Sequence, residues 1–507
     1  MKKIAFILIW VSLLFTSCYK FLEEDPKGFL TTSGYYQNKA QVNAAVNGLY
    51  SGLDKYLVGA FGVAESPAWA LEYITGYCTR PNTGNQSDNE FLNLTGIDDQ
   101  NGYVGTFWSN AGFFPIENCN SVIEIVPNLT FLTDEEKNEY LGQAYFLRAH
   151  YYFLVVRLFG DIPLKLETTK DLNDIQIPKR PIKVIYAQIV KDLEAAEKCN
   201  VKWADHTGRV SMGAIKSLLS EVYMTMAGYP LRGGNEYYQK AYEKAKEVIE
   251  SKEFKLYARY SDLRRYNTTT STYPNENYDE HIFMFQKAPT INENIIHVHF
   301  LPLNQRISNV VQGNMGGAMK PQVGFYNSYP TGDKRVEEQA YYYTTYPRNT
   351  GSGTQTFEPY IFKFWDAGAE DTKRSGANVW NIRYADILLL CAEAKTMVDG
   401  GSTTDAIAID AYYEVRKRAM PSEAKPTSIS FNDVFKERTW ELCFELKAWF
   451  DIMRTRKIFN YENKTVVDVI GYTSPGRTKA FEVKDMLFPI PYSEKIANPL
   501  VLEDPVE

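Results

Sequence analysis

From residue 134 the chain runs through three acids into a long, almost unbroken series of apolar and aromatic positions that closes at Gly160. Thr133 can cap such a helix, and Asp134, Glu135 and Glu136 complement its positive end. Gly160, Asp161 and Pro163 then stop it. Apolar residues recur at helical spacing in several other blocks. The earliest spans about Tyr36 to Lys55, with Ala44, Val46, Leu49 and Leu53 inward. "PIKVIYAQIVKDLEAAEKC", "SMGAIKSLLSEVYMTMAGY" and "EYYQKAYEKAKEVIESK" follow the long helix closely, and short connections predict antiparallel neighbours. Helical spacing returns late in "WNIRYADILLLCAEAKTMV", "TDAIAIDAYYEVRKRA" and "FNDVFKERTWELCFELKAWFDIMRTRK", the last read as one helix. Near 60–115 and 255–375 the pattern dissolves. The prediction is a mainly α scaffold carrying two irregular insertions, without a strict repeat period.

The N-terminus has a different pattern. Lys2 and Lys3 precede Ile4 to Phe15, an apolar run too short to span a bilayer. This is a secretory leader. Thr16 and Ser17 then lead straight into Cys18, a sequence resembling the bacterial lipoprotein lipobox, which implies cleavage before Cys18 and acylation of its sulfur. The alternative is an uncleaved anchor helix ending in an incidental cysteine. Residues 1–17 are thus expected to be a signal peptide, 18–32 a lipidated tether and 33–507 a single domain. Several acyl chains hold a protein on a membrane essentially for good. Glu23, Glu24 and Asp25 resemble a surface-export signal, though a solvated acidic tail has the same composition.

Charge narrows the partners. The net charge of -7 becomes -9 once Lys2 and Lys3 are removed, leaving 53 basic against 62 acidic residues. No nucleic-acid partner is indicated, because phosphate binding rests on clustered Lys and Arg. Five cysteines beyond Cys18, without a C-x-x-C pair, do not make a disulfide framework. His297 and His299 could share one strand face, but they lack a third ligand, so no metal site and no cofactor are expected. There is no G-x-S-x-G, no H-E-x-x-H and no phosphate loop. "GNMGG" at 313–317 reads as a turn.

The block "AYFLRAHYYFLVVRLFGDIPL", Ala144 to Leu164, closely resembles the hallmark segment of the SusD/RagB family of outer-membrane nutrient-binding lipoproteins. Further blocks resemble that family in the expected order: "WSNAGFFPIENCNSVIE", "GRVSMGAIKSLLSEVYM", "IRYADILLLCAEA", "VRKRA", "ERTWELCFELKAWFDIMRTRK" and "LFPIPYSEKIANPL". The chain departs from the family at Gly112 to Pro115, which puts the local turn in question, and in its "LEDPVE" ending. The resemblance implies one α-superhelical body of tetratricopeptide-like helix pairs, with loop-rich insertions and a few short strands forming a ligand face. It implies a non-catalytic protein on the cell surface, tethered to the outer membrane, that hands glycans or peptides to a SusC-like TonB-dependent transporter.

Two residue sets test that implication physically. Glu437, Glu441 and Glu445 fall at i, i+4 and i+8 and suggest the paired carboxylates of a glycosidase; Arg383, Arg416, Arg418, Arg438, Arg454 and Arg456 favour a structural ion-pair network instead. Arg148 and Arg157 inside the hallmark helix are likewise read as structural, since buried guanidinium groups need acceptors. The second set is aromatic: 12 Phe, Tyr and Trp lie between Phe325 and Trp365, about twice the chain's average density. Flat rings stack on sugar C–H faces at little rotamer cost. Candidate ligand residues are Tyr273, Tyr326, Tyr329, Tyr341, Tyr343 and Trp365 in the late insertion. Those in the early insertion are Tyr77, Arg80, Asp88 and Asn89, flanked by Trp69 and Trp108. Each ring has a competing role as a hydrophobic peg under its own loop. A glycan carrier leads; a peptide carrier, a surface glycoside hydrolase and a ligand-free scaffold are the alternatives.

Overall fold

A computed structural model describes residues 35–58, 67–81, 84–171, 175–267, 269–288, 291–303, 305, 307, 317–349, 351–370 and 374–506. Cys18, the leader and the tether lie outside them, as does most of the glycine-rich 313–317 segment. The chain divides into two units, Met1–Ala44 and Ala45–Glu507.

The Asp134–Phe159 helix is the central rod of the larger unit. Thr133 and Glu136 close a reciprocal capping box at its start, and Gly160 ends it at φ +76°. Phe146, Leu147, Tyr151, Tyr152, Leu154 and Val155 are all buried. Apolar residues on every side require neighbours on every side, and the helices Phe114–Ile125 and Ile182–Lys198 supply two of them. The guanidiniums inside are answered as the sequence reading requires. Arg148 Nε and Nη2 donate to the two oxygens of Asp192 at 2.8 and 2.7 Å, and Arg157 reaches Glu221 at 2.8 Å.

Helices then pack in sequential pairs, Met212–Ala227 on Asn235–Ser251 and Tyr384–Val398 on Ala406–Ala419. Strands among the described residues are short and form six separate two-stranded sheets. The five described cysteines are free.

Three local expectations change. The first predicted helix is two, Lys39–Gly48 and Ser51–Val58. The last is also two, Phe431–Glu441 and Ala448–Thr455, separated by Phe444 and Leu446 at positive φ. The break gives the freed Leu446 N–H a carboxylate partner, Glu72 Oε1 at 2.6 Å. The early insertion is less irregular than its composition: it holds the short helices Pro67–Tyr73, Gln86–Asn93 and Gly102–Trp108, two of them capped by Asn85 and Asn101. The turn in question at Gly112 is a single π-helical segment, Ser109–Phe113. A Cβ on Gly112 would stand 2.4 Å from Val155 Cγ2, so only glycine lets this segment press on the central helix.

Candidate functional site

The larger part of the late insertion, residues 286–378, leaves and rejoins the body through one antiparallel pair, His281–Phe285 against Val379–Arg383. Within it, Tyr342–Pro347 and Thr354–Ile361 form a hairpin with an irregularity between Tyr343 and Thr345. Tyr343 and Tyr360 turn inward onto Val298, Leu301 and Ile307, leaving Tyr346, Phe357, Phe362 and Trp365 only partly covered. These outer rings form a connected surface. Phe362 and Trp365 stack at 5.1 Å and 11°, and Tyr346 lies 4.5 Å from Trp365.

Trp365 and Phe362 line a cleft of about 200 Å³, together with Arg264, Tyr266, Tyr273 and Asp366. A second hollow of about 460 Å³ shares Arg265 and Tyr266 and adds Asn267, Pro274 and Asn275. The cleft is held firmly from below. Asp366 accepts from the Tyr273 hydroxyl at 2.7 Å, from the Gly368 N–H at 2.9 Å and from Ser375, while its own N–H donates to His297 Nδ1 at 3.2 Å. Burial holds the His297 pKa down to about 4, so the ring is neutral and keeps Nδ1 as an acceptor. Burial raises the Tyr273 pKa above its usual value, the neighbouring Asp366 adds to the rise, and the phenol stays a donor.

Of the predicted ligand residues, Tyr273 and Trp365 meet in this cleft. Tyr326 and Asn89 are half-exposed elsewhere, Tyr326 edge-on to Tyr342 at 5.2 Å. The other eight are interior. Trp69 packs edge-on against Phe300 and Phe364, Trp108 against Phe159, and Tyr77 stacks on Phe325 at 5.0 Å. Arg80 and Asp88 neutralise one another, with Tyr103 donating to Asp88 at 2.8 Å. Tyr329 donates to the Trp440 carbonyl at 2.9 Å and Tyr341 to Glu441 at 2.9 Å, and Tyr343 has no exposed surface. These are pegs that fasten loops to helices, and a buried ring cannot offer its face to a ligand. Cleft residues not singled out from the sequence include Arg264, Arg265, Tyr266, Phe362 and Asp366. The aromatic excess between 325 and 365 already pointed at Phe362 and, beside the cleft, at Tyr346.

The carboxylate stripe is spent on cations. Glu437 meets Arg335 at 2.8 Å and Arg416 at 3.0 Å; Glu441 meets Arg335, Arg383 and Arg418 between 2.7 and 3.2 Å; Glu445 is bracketed by Arg383 and Lys363. Despite complete burial, these cations keep the Glu441 carboxyl far below the usual range, so it has no proton to donate. His297 and His299 lie on the short helix Ile296–His299 instead of a strand, and both are buried. No cluster of three metal-ligating side chains occurs among the described residues.

A hollow of about 580 Å³ lies elsewhere, lined by Asp54, Lys55, Thr207, Arg209 and Gln286. Its rings, Tyr50 and Phe285, are tied into the body: the Tyr50 hydroxyl donates to Gln143 at 2.8 Å and accepts from the Val210 N–H, and Phe285 packs edge-on against Tyr56. The aromatic cleft is therefore the better candidate.

Comparison with known proteins places this geometry. The family described as "SusD family" matches residues 235–505, and that described as "Starch-binding associating with outer membrane" matches 28–224. The chain belongs to the SusD family. A crystal structure of a SusD superfamily protein from Parabacteroides distasonis superposes on this SusD-family chain with a TM-score of 0.83 at 33% identity, covering 91% of this chain and 98% of that one. "SusD-like protein P2" of Formosa agariphila is 26% identical across 98% of this chain and 97% of its own length. Surface glycan-binding protein A from Bacteroides thetaiotaomicron, solved in complex with laminarihexaose, shares the fold with a TM-score of 0.69 at 19% identity, covering 90% and 97%. The helix pairs described above are thus the tetratricopeptide-like body of SusD-family proteins, and the mainly α expectation holds.

Proposed function

We propose that this protein is a cell-surface binding lipoprotein, tethered through Cys18, that captures oligosaccharides and passes them unaltered to a SusC-like TonB-dependent transporter. The observation that carries the reading is the ring surface of Tyr346, Phe362 and Trp365, which is incompletely covered and opens onto a polar cleft. Sugar binding without chemistry needs flat apolar platforms beside a few fixed polar groups. Tyr273 on the cleft wall is such a group, held in place by its hydrogen bond to the buried Asp366. The solved complex of the laminarihexaose-binding relative supports a glycan as the cargo.

The state of one acid stripe supports a non-catalytic reading. The Glu437, Glu441 and Glu445 stripe is buried and saturated by arginine and lysine, which argues against a glycoside hydrolase built on it. The description of the matching family, association with the outer membrane, fits a tether at Cys18; no described helix is long and apolar enough to cross a membrane. Calorimetry of the purified protein against a glycan panel tests the proposal. Binding that is lost in Trp365→Ala, with no shortened products on prolonged incubation, is expected; robust turnover, or indifference of every glycan to that substitution, overturns it.

A further inference from the structure

Arg264 raises a question that the aromatic platform leaves unanswered. Its side chain is only 6% exposed, yet it lines the cleft. Nη2 donates to the Ser375 hydroxyl at 3.0 Å. The nearest carboxylate, Asp366, stands 4.0 Å away, and its oxygens already accept from Tyr273, Ser375 and Gly368. Nε and Nη1 of Arg264 are buried and have no hydrogen-bond partner in the protein. A buried donor left unmade costs stability, more so on a charged group. Other buried arginines of this protein, such as Arg148 and Arg383, have carboxylate partners for their forks.

The surrounding charge points the same way. Lys363 at the cleft floor is consumed by Glu445 and by the carbonyls of Glu441 and Cys443. Arg265 is exposed and borders both hollows. Two guanidiniums, Arg264 and Arg265, thus border the cleft beside an apolar ring wall; Asp366 is buried among its donors, and Glu276, which also feels the Arg264 charge, accepts from the Asn378 N–H.

We infer that the cleft takes a carboxylated sugar, a hexuronic acid residue within an oligosaccharide, with its carboxylate on Arg264 and Arg265 and its C–H face on Trp365 and Phe362. A planar guanidinium matches a planar carboxylate in charge and geometry better than a neutral hydroxyl does. The inference rests on the glycan-binding reading above and narrows its cargo.

The test uses calorimetry of the mature protein with oligogalacturonate, oligoalginate and glucuronoxylan fragments, each beside its carboxyl-reduced, neutral counterpart. A sulfated, uronate-free oligosaccharide serves as an anion control. At least one uronate is expected to bind tenfold or more tightly than its reduced form, with an affinity that falls as salt rises. Arg264→Gln should erase the preference, and Arg265→Gln, at an exposed site, should weaken it without moving the melting temperature. Equal affinity for charged and reduced forms, or a preference for the sulfated ligand alone, overturns the carboxylate inference while leaving glycan capture intact. Should no glycan of any kind bind, the function proposed above fails and the inference falls with it.

Discussion

Arg383 grips Glu445 with two parallel hydrogen bonds, Nε and Nη2 each lying 2.7 Å from a different carboxylate oxygen. Arg383 ends the strand that closes the late insertion, and Glu445 sits in the break between the two C-terminal helices. The pair therefore ties the insertion to the body where neither has regular structure to spare. Both groups are essentially inaccessible to water. Glu445→Ala strands the guanidinium beside fewer carboxylates, and breaking a buried pair this way costs about 3–5 kcal/mol. Chemical denaturation should show that loss; a change under about 1 kcal/mol would contradict the assigned role.

Exposed and buried rings should respond oppositely to truncation. Trp365→Ala removes a cleft wall, so glycan binding should fall at least tenfold while the melting temperature shifts little. Trp69→Ala opens a cavity between Phe300 and Phe364 and should cost about 3–5 kcal/mol of stability. Paired calorimetry and thermal melts distinguish the two; equal stability losses would refute the division into platform and peg.

Acid should weaken the cleft from beneath. His297 has a folded pKa near 4 against about 6.5 unfolded, because burial disfavours its charged form. Between those values the unfolded chain takes up a proton that the folded one refuses, so stability falls as pH drops from 6.5 to 4 and changes no further from this group below that. His297→Asn, which keeps an acceptor for the Asp366 N–H, should remove on the order of 2–3 kcal/mol of that decline. Urea titrations across the window measure it, and an unchanged slope in the variant would be inconsistent with a neutral buried ring.

Gly228 lies where a helix gives way to the Arg454 backbone. A Cβ there would stand 2.3 Å from the Arg454 carbonyl oxygen, which also accepts from the Tyr229 N–H at 2.8 Å. Backbone yields less readily than side chains, so Gly228→Ala should destabilise by about 1–3 kcal/mol or more. A melting temperature equal to that of the wild type would show that the two segments can separate freely.

The tether has a direct assay. Cys18→Ser should move the protein from the membrane fraction to the soluble fraction and abolish incorporation of labelled fatty acid. Retention of label in the variant would place the acyl group elsewhere.

The helical body was legible in the sequence because a buried rod has to be apolar along its length: the hallmark helix, its Thr133 cap and its Gly160 stop all follow from residues 133–163. Structural roles for Arg148 and Arg157 were legible for the same reason, since an apolar helix leaves a cation no alternative to a paired acid. The break after Glu441 was hidden, because Leu442, Cys443, Phe444 and Leu446 are apolar whether or not they are helical, and what ends the helix is a distant Glu72. The aromatic excess located the cleft but not its members. Tyr343 and Tyr346 both pack on Trp365, and what separates the buried ring from the partly covered one is the Val298, Leu301 and Ile307 cluster around Tyr343, which no local pattern reveals. Arg264 could not be recognised at all from neighbours in sequence, because its significance lies in the acceptors that Asp366 has already committed to others.

The clasp between His281–Phe285 and Val379–Arg383 has an evolutionary corollary. Departure and return of the 286–378 excursion are adjacent on the body, so changes within it leave the helical scaffold in place where the ties of Tyr329, Arg335 and Tyr341 to Trp440 and Glu441 are kept. The cleft is a joint product, its ring wall carried by that excursion and its guanidinium wall by residues 264–273 ahead of the clasp, so the two walls vary separately.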